Sequence, residues 1–467
     1  MVRFRYNIIP GFPGSLLRLF SMSDHSAGMT ETFLPPDLRL RGQRAIIVVT
    51  LFDTIAFGTA LGSIVSLFIL NNGGTSRHIG LLATAGQIAP VAQIIGLHLL
   101  PRFGKARLVM HGHALAAIPI TMLAMLTLAG VSGTVVVWAT IIAVAVFGIT
   151  FHSGQTAWWP LIQDNTAGGP VESFFARMRT RYLLMNVAVA VSVAVFMWKN
   201  PPLWRFIITF LCGMGALVYG GVRMRHVSER PFHPPEMGLA GRLARAWQIP
   251  SIRRYVRFAA ARVFVIVLCT PFWVVILKNR GLSEGFIVWL GAMVALGNVS
   301  GVRMWGRFVN RHNFRPAITI ALLSEAALGL AWLALPTDVN AVKVWAVIFH
   351  GLWGFLEGGY LMGWTRAMLN SVPSTIQADG FTLSTLCGSS IGAATGFLAG
   401  IGFKAIADTS VFGIDCWAVY LCCAQVLFAG VWVIGFRLKG YDEQVPFTRV
   451  LTISVLLMLR QAKRMVG

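Results

Sequence analysis

Charge is scarce in this chain of 467 residues: only 12% of it is charged, with 17 acidic side chains against 39 lysines and arginines. Soluble domains run at about 25% charged, so the surface a water-exposed fold needs is mostly missing. Cysteine is also rare. The six (Cys212, Cys269, Cys387, Cys416, Cys422 and Cys423) fall mainly inside apolar runs, with no C-x-x-C pair and no Cys/His cluster. A zinc site or a disulfide framework is therefore not expected, and free buried thiols are. No glycine-rich phosphate-binding loop occurs, so ATP is not expected to drive the protein. No nucleophile–base pairing or metal constellation marks an enzyme, and no cofactor is implied. Residues 1–44 lack an apolar core long enough for a signal peptide, and Met22 and Met29 are alternative starts to Met1.

Apolar residues are abundant, at 56% of the chain with a mean hydropathy of +0.69. They gather into twelve runs, at about 45–70, 79–100, 108–130, 134–153, 180–198 and 203–222, then 258–277, 284–305, 316–335, 342–365, 381–403 and 415–436. Each is close to the roughly 20 residues that cross a bilayer core, and a backbone in hydrocarbon must satisfy its own hydrogen bonds as helix. The expected fold is an all-α polytopic membrane protein with two six-helix bundles. Its parts are an N-terminal segment at 1–44, bundles at 45–222 and 258–437, a basic linker at 223–257 and a tail at 438–467. From Arg223 to Arg262 nine arginines stand against two glutamates, with Pro231, Pro234 and Pro235 between them. Of the 39 basic residues, 32 fall on the side of the linker and both termini and 7 on the other. That bias predicts a cytosolic linker and cytosolic termini, and the protein is expected in the cytoplasmic (inner) membrane. The bias also accounts for the net charge of +22 without nucleic acid as a partner. In the tail, Val450–Leu459 is too short to span, and Arg449, Thr452, Arg460 and Lys463 share a side at helical spacing. An interfacial helix on anionic lipid is one reading, a disordered or docked tail the other.

Two internal matches connect the halves. Leu97–Arg107 aligns with Gly306–Arg315 at an offset of 209, pairing Arg102 with Arg311 and Gly104 with Asn313. Gly154–Asn165 aligns with Gly359–Asn370 at 205, pairing Trp159 with Trp364 and Asn165 with Asn370. At these residues the chain resembles the major facilitator superfamily of transporters, in its bacterial form. That family's loop after the second helix reads Gly-x-Leu-Ala-Asp-Arg-x-Gly-Arg-Arg and is echoed after the eighth. The second copy here keeps Gly306, Phe308, Val309, Asn310, Arg311 and Arg315 in register; the first keeps Arg102, Phe103, Gly104 and Lys105. The acidic position is Pro101 in one and Asn310 in the other. The resemblance implies that this carboxylate helps hold a closed cytosolic gate, so the gate is expected to lack its acid, with Arg311 mattering more than Arg102. Ala157–Arg179 and Pro271–Lys278 also resemble family segments.

Ionisable groups inside spans are costly and usually functional. Asp53 lies in the first span, Arg262 just inside the seventh, Glu325 in the ninth, and His350 and Glu357 seven apart in the tenth, hence on one face. The resemblance implies that helices one, four, seven and ten line a central cavity, while three, six, nine and twelve stand outside. Asp53, His350 and Glu357 accordingly rank above Glu325. Glu357, Asp53 and Glu325 are proton-coupling candidates; His350, Trp158 and Arg262 are cavity candidates. Each has a plainer reading. Asp53 caps the helix or pairs with a gate arginine such as Arg262, His350 is a hydrogen-bonded core histidine, Glu325 bonds a neighbouring helix, and Trp158 belongs to an aromatic belt. Glycines 388, 392, 396 and 400 form a bare stripe on the eleventh helix, which allows close packing. The expected function is secondary transport of a small organic solute by a monomer, with proton coupling. The alternative is a transporter-like scaffold or assembly factor that moves nothing.

The orientation is testable. A cysteine placed at Ser132 or Thr409 should react with an impermeant thiol reagent added to intact cells, and one at Ser228 should not. Labelling at Ser228 as fast as at Thr409 would invert the topology.

Overall fold

The computed structural model describes residues 34–166, 171–230, 237–372, 376–406, 409–411 and 414–436. The tail helix expected at Val450–Leu459 and most of the 1–44 segment lie outside these residues. Twelve helices among the described residues are long and apolar enough to cross a membrane, and each overlaps one expected run. The first six are Pro36–Asn71, Ser76–Phe103, Lys105–Leu128, Thr134–Thr166, Arg177–Phe196 and Leu203–His226. The second six are Pro250–Asn279, Glu284–Val309, Phe314–Ala334, Val339–Met368, Asp379–Ile406 and Cys416–Gly435. A two-residue strand pair, Ser410–Val411 with Ile414–Asp415, precedes the last span.

Several boundaries differ from the hydropathy reading. The first helix starts at Pro36, so Arg39, Arg41 and Arg44 belong to its opening turns and not to a free segment. The seventh starts at Pro250, which puts Arg262 more than three turns deep. The linker holds a helix of its own, Leu239–Gln248. At Pro36 and Pro250 the helix begins ahead of the apolar run, among basic residues that hydropathy does not report. Inside the spans, the first helix breaks at Leu61–Gly62, and Pro90 turns the second into a short 3₁₀ segment at Ala89–Ala92.

Apolar residues cannot drive helices together in lipid as they do in water, so close packing and polar contacts must hold the bundle. Along the third span Leu115, Ile118, Met122 and Met125 recur every three or four positions, all about half exposed or more, and make its lipid-facing stripe. The halves meet chiefly where the second span packs on the eleventh and the fifth on the eighth. The glycine stripe makes the first contact possible. A Cβ at Gly400 would lie 2.8 Å from the Gly80 Cα, and one at Gly396 would lie 2.9 Å from the Thr84 backbone nitrogen. Thr84 closes the seam by donating to the Ala393 carbonyl at 3.2 Å. On the side away from the linker, Lys278 bonds Asn71 and reaches Glu284 at 2.6 Å, while the Asn200 amide donates to Glu284 at 3.2 Å. On the linker side, the Trp159 ring stacks on Phe381 at 5.9 Å, and Arg242 of the linker helix grips Asp379 at 2.5 Å.

The internal repeat is legible in the backbone. Gly104 ends the second span and caps the third at φ +76°, ψ 173°; Asn313, its partner in the alignment, ends the eighth and caps the ninth at φ +71°, ψ 171°. This region is almost exclusive to glycine. Asn313 occupies it while its side chain accepts from the Phe314 amide at 2.7 Å.

Asn313→Gly should therefore stabilise the protein. A strained residue of this kind costs about 1–3 kcal/mol, and exchanging an asparagine cap for glycine loses only a few tenths. Gly104→Ala should do the opposite. Thermal unfolding of both variants in one detergent tests the pair; a lower melting temperature for Asn313→Gly would show that the cap outweighs the strain.

Candidate functional site

The linker-side site is assembled around Lys105, the first residue of the third span. Its ammonium lies 2.5 Å from Asp164 Oδ2 and donates to the Arg230 carbonyl at 3.2 Å. Arg230 completes the group, its Nε 2.9 Å from Asp164 Oδ1 and its backbone amide 3.0 Å from Oδ2. Glu229 Oε2 accepts from the Ala106 amide at 2.7 Å, placing a carboxylate at the positive end of the third helix. Asn165 joins the same layer by donating to the Ser228 carbonyl. The family-type loop lacks its own acid at Pro101, and two acids from elsewhere in the chain stand beside it: Asp164 from the end of the fourth span and Glu229 from the linker.

Lys105 of the first loop copy takes part in this network, while Arg102 and Arg311, the two arginines compared between the copies, do not. In the second, Arg311 is exposed and in no ion pair among the described residues, nothing lies near a Cβ at Gly306, and the Asn310 side chain lies outside the described residues. Arg102 is exposed and without an ion pair as well. Trp158 opens the helix Trp158–Thr166 and packs on the linker-side cluster of Leu100, Leu108, Leu161 and Phe174, which gives it a core role.

The deeper site is centred on Arg262, which is 2% exposed. Its guanidinium bonds Glu325 through both terminal nitrogens, Nη2 reaching Oε1 at 3.1 Å, and also bonds Glu357. The rings of Tyr360 and Phe428 each lie 4.2 Å from the guanidinium carbon. Aromatic faces carry negative charge and favour a desolvated cation. The two carboxylates are not alike, for the Glu325 side chain is fully enclosed and that of Glu357 is 20% exposed. Glu357 is thus paired with a buried cation. Glu325 shares its cation, where the helix ranking sets it apart. One guanidinium against two carboxylates leaves the ionised cluster one charge negative.

His350 stands two turns from Glu357. Its Nδ1 lies 2.8 Å from the Ala346 carbonyl, so that nitrogen carries the proton and Nε2 is left as an acceptor. Trp273 and Phe349 flank the ring at 5.6 and 5.5 Å, and the indole nitrogen of Trp273 is buried without a partner among the described residues.

Asp53 does not pair with Arg262. Its Oδ1 lies 2.9 Å from Nε2 of His113 in the third span, a fully buried ring whose Nδ1 meets the Val109 carbonyl at 2.8 Å. The offset of 209 carries Asp53 onto Arg262. The same offset carries His113 onto Leu322, three residues before Glu325, so spans one and three and spans seven and nine are each joined by an acid–base pair at a similar depth, with the acid on the first partner in one half and on the second in the other. Sequence reading overlooks His113 because the third helix is expected to stand outside the cavity; an ionisable residue nine positions into a span was the available signal.

The cluster makes an asymmetric prediction. Removing Arg262 leaves the enclosed Glu325 without its cation and facing a second carboxylate, and breaking a buried pair costs about 3–5 kcal/mol. Glu325→Gln leaves Arg262 with Glu357. Arg262→Gln should consequently lose most folded protein on size exclusion while Glu325→Gln retains it; equal losses would mean that the charge balance does not govern stability here.

No family sequence model matches the chain, and no characterised protein matches it in sequence. Its structure is similar to several solved ones. A variant of the nucleoside transporter NupG superposes with a TM-score of 0.66 at 13% identity, over 86% of this chain and 100% of that one. A D-xylose-proton symporter gives 0.64 at 13% identity, over 87% and 98%. A peptide transporter POT in complex with sulfate gives 0.60 at 13% identity, over 85% and 95%. With twelve helices long and apolar enough to cross a membrane and these likenesses over 85% to 87% of its length, the chain has the major facilitator fold.

Proposed function

We propose that the protein is a proton-coupled secondary transporter of a small organic solute, working by alternating access about the Arg262 cluster. The observation that carries this reading is the excess of one carboxylate over the buried guanidinium. A buried charge without a countercharge is unfavourable, and one proton makes the cluster neutral. Glu357, the partly exposed acid, is where that proton enters and leaves; Glu325 keeps Arg262 engaged throughout. Ionised, Glu357 ties the tenth span to the seventh. Protonated, it loosens its hold and lets the tenth span shift. Opening toward the linker side, which the loop charges make cytosolic, hydrates Glu357 and releases the proton inward. His350 lies two turns away on the same helix, roughly 10 Å of rise, and offers Nε2 to the cargo. The fold shared with a D-xylose-proton symporter is in keeping with this cycle. The missing loop carboxylate would favour a scaffold that moves nothing, but Asp164 and Glu229 stand beside that loop in its place.

The cargo can be found by screening small molecules for those that raise the melting temperature of the purified protein, since selective binding stabilises the native state. With it in hand, Glu357→Gln keeps shape and removes titration. In proteoliposomes the variant should lose uphill uptake and its pH dependence while retaining binding and counterflow exchange, and His350→Ala should weaken binding instead. Uphill uptake by Glu357→Gln at the wild-type rate would overturn the assignment.

A further inference from the structure

A pocket of about 550 Å³ opens between the first turns of the first span and the end of the sixth. Arg41, Arg44, Arg223 and His226 line it, with Asp37 as the one acid. Asp37, Arg41, Arg44 and Val48 follow one another at intervals of four, three and four, so a single face of the first helix forms one wall. Three guanidiniums against one carboxylate leave a clear positive excess. None of the three arginines is in an ion pair among the described residues, and Nε of Arg223 is buried there without a partner.

The surroundings narrow the ligand. The pocket lies at the linker-side end of both spans, the level at which lipid phosphates sit. Leu40, 54% exposed, and Val48 lie in its wall, and above it the sixth span shows Val218, Tyr219 and Val222 to the outside. Phe52 and Tyr219, with ring centroids 4.5 Å apart, close the seam between the two spans there. The site is basic at the membrane surface and apolar toward the hydrocarbon. Arginines serving only to orient insertion need no shared pocket and no enclosed N–H. We infer that this pocket binds the phosphate headgroup of an anionic phospholipid, with the acyl chains lying over Leu40, Val48 and the outer face of the sixth span. The guanidiniums supply the fork geometry that phosphate oxygens accept.

The test uses the full-length protein in detergent, titrated with short-chain phosphatidylglycerol, phosphatidylcholine of the same chain length and inorganic phosphate, and read by native mass spectrometry. Phosphatidylglycerol should bind the wild type in preference to the other two. Arg44→Gln/Arg223→Gln should weaken it roughly thirtyfold, a loss of about a factor of five for each basic contact. Arg254→Gln/Arg257→Gln removes the same charge from the linker-side end of the seventh span and should bind like the wild type. Equal binding of phosphatidylcholine would overturn the inference, as would displacement of the lipid by inorganic phosphate at the same concentration. An equal loss in the Arg254/Arg257 variant would reduce the effect to bulk charge and overturn it too. The comparison of lipids on the wild type decides the matter even if the Arg44/Arg223 variant does not fold.

Discussion

A guanidinium buried between carboxylates is the interaction on which the second half of this protein depends. Arg262 ties the seventh span to the ninth through Glu325 and to the tenth through Glu357. In a low-dielectric interior the pairing is strong, and it can be altered only by supplying a charge or removing one. The rings of Tyr360 and Phe428 raise that threshold by holding the cation where water does not reach it. A proton is the smallest charge that can be supplied, and Glu357 is the only member of the cluster with appreciable exposure.

The same logic acts elsewhere with different partners. In the first half, Asp53 and His113 link spans one and three and carry no surplus when the ring is protonated. On the linker side, Lys105 and Arg230 share Asp164, with Glu229 at the adjoining helix end. These contacts lie within the first half and the linker segment that follows it. They brace the base of that half, while Arg242 fastens the linker helix to the eleventh span through Asp379. The linker is thus attached to both halves by charge as well as by chain.

The fold was largely legible in the sequence because hydrocarbon imposes a length and a composition on anything that crosses it, and twelve such runs are present. Their ends were not. At Pro36 and Pro250 the helices begin among Arg39, Arg41 and Arg44 or Arg253, Arg254 and Arg257, which count against an apolar window although the backbone is already helical. Individual site residues were legible by the cost of a charge in a span; their pairing was not, because 63 residues separate Arg262 from Glu325 and 95 separate it from Glu357. No local periodicity carries such a contact. The Lys105 network stayed hidden for a related reason, since its acids come from two other segments. Gly104 and Asn313 align by position although their residues differ, and the positive φ they share gives the alignment a physical cause.

Glu357 lies slightly past the middle of the helix Val339–Ser371, with about 20 Å of rise between it and the linker-side end. A charge that reaches this depth crosses a substantial fraction of the membrane's electric field, worth about 2.3 kcal/mol per elementary charge for each 100 mV traversed. In the cycle proposed for Glu357, voltage as well as acidity would set when its carboxyl is protonated. An energised membrane would bias the cluster before any solute arrives, and the half-reactions on its two sides would respond unequally to a change in potential.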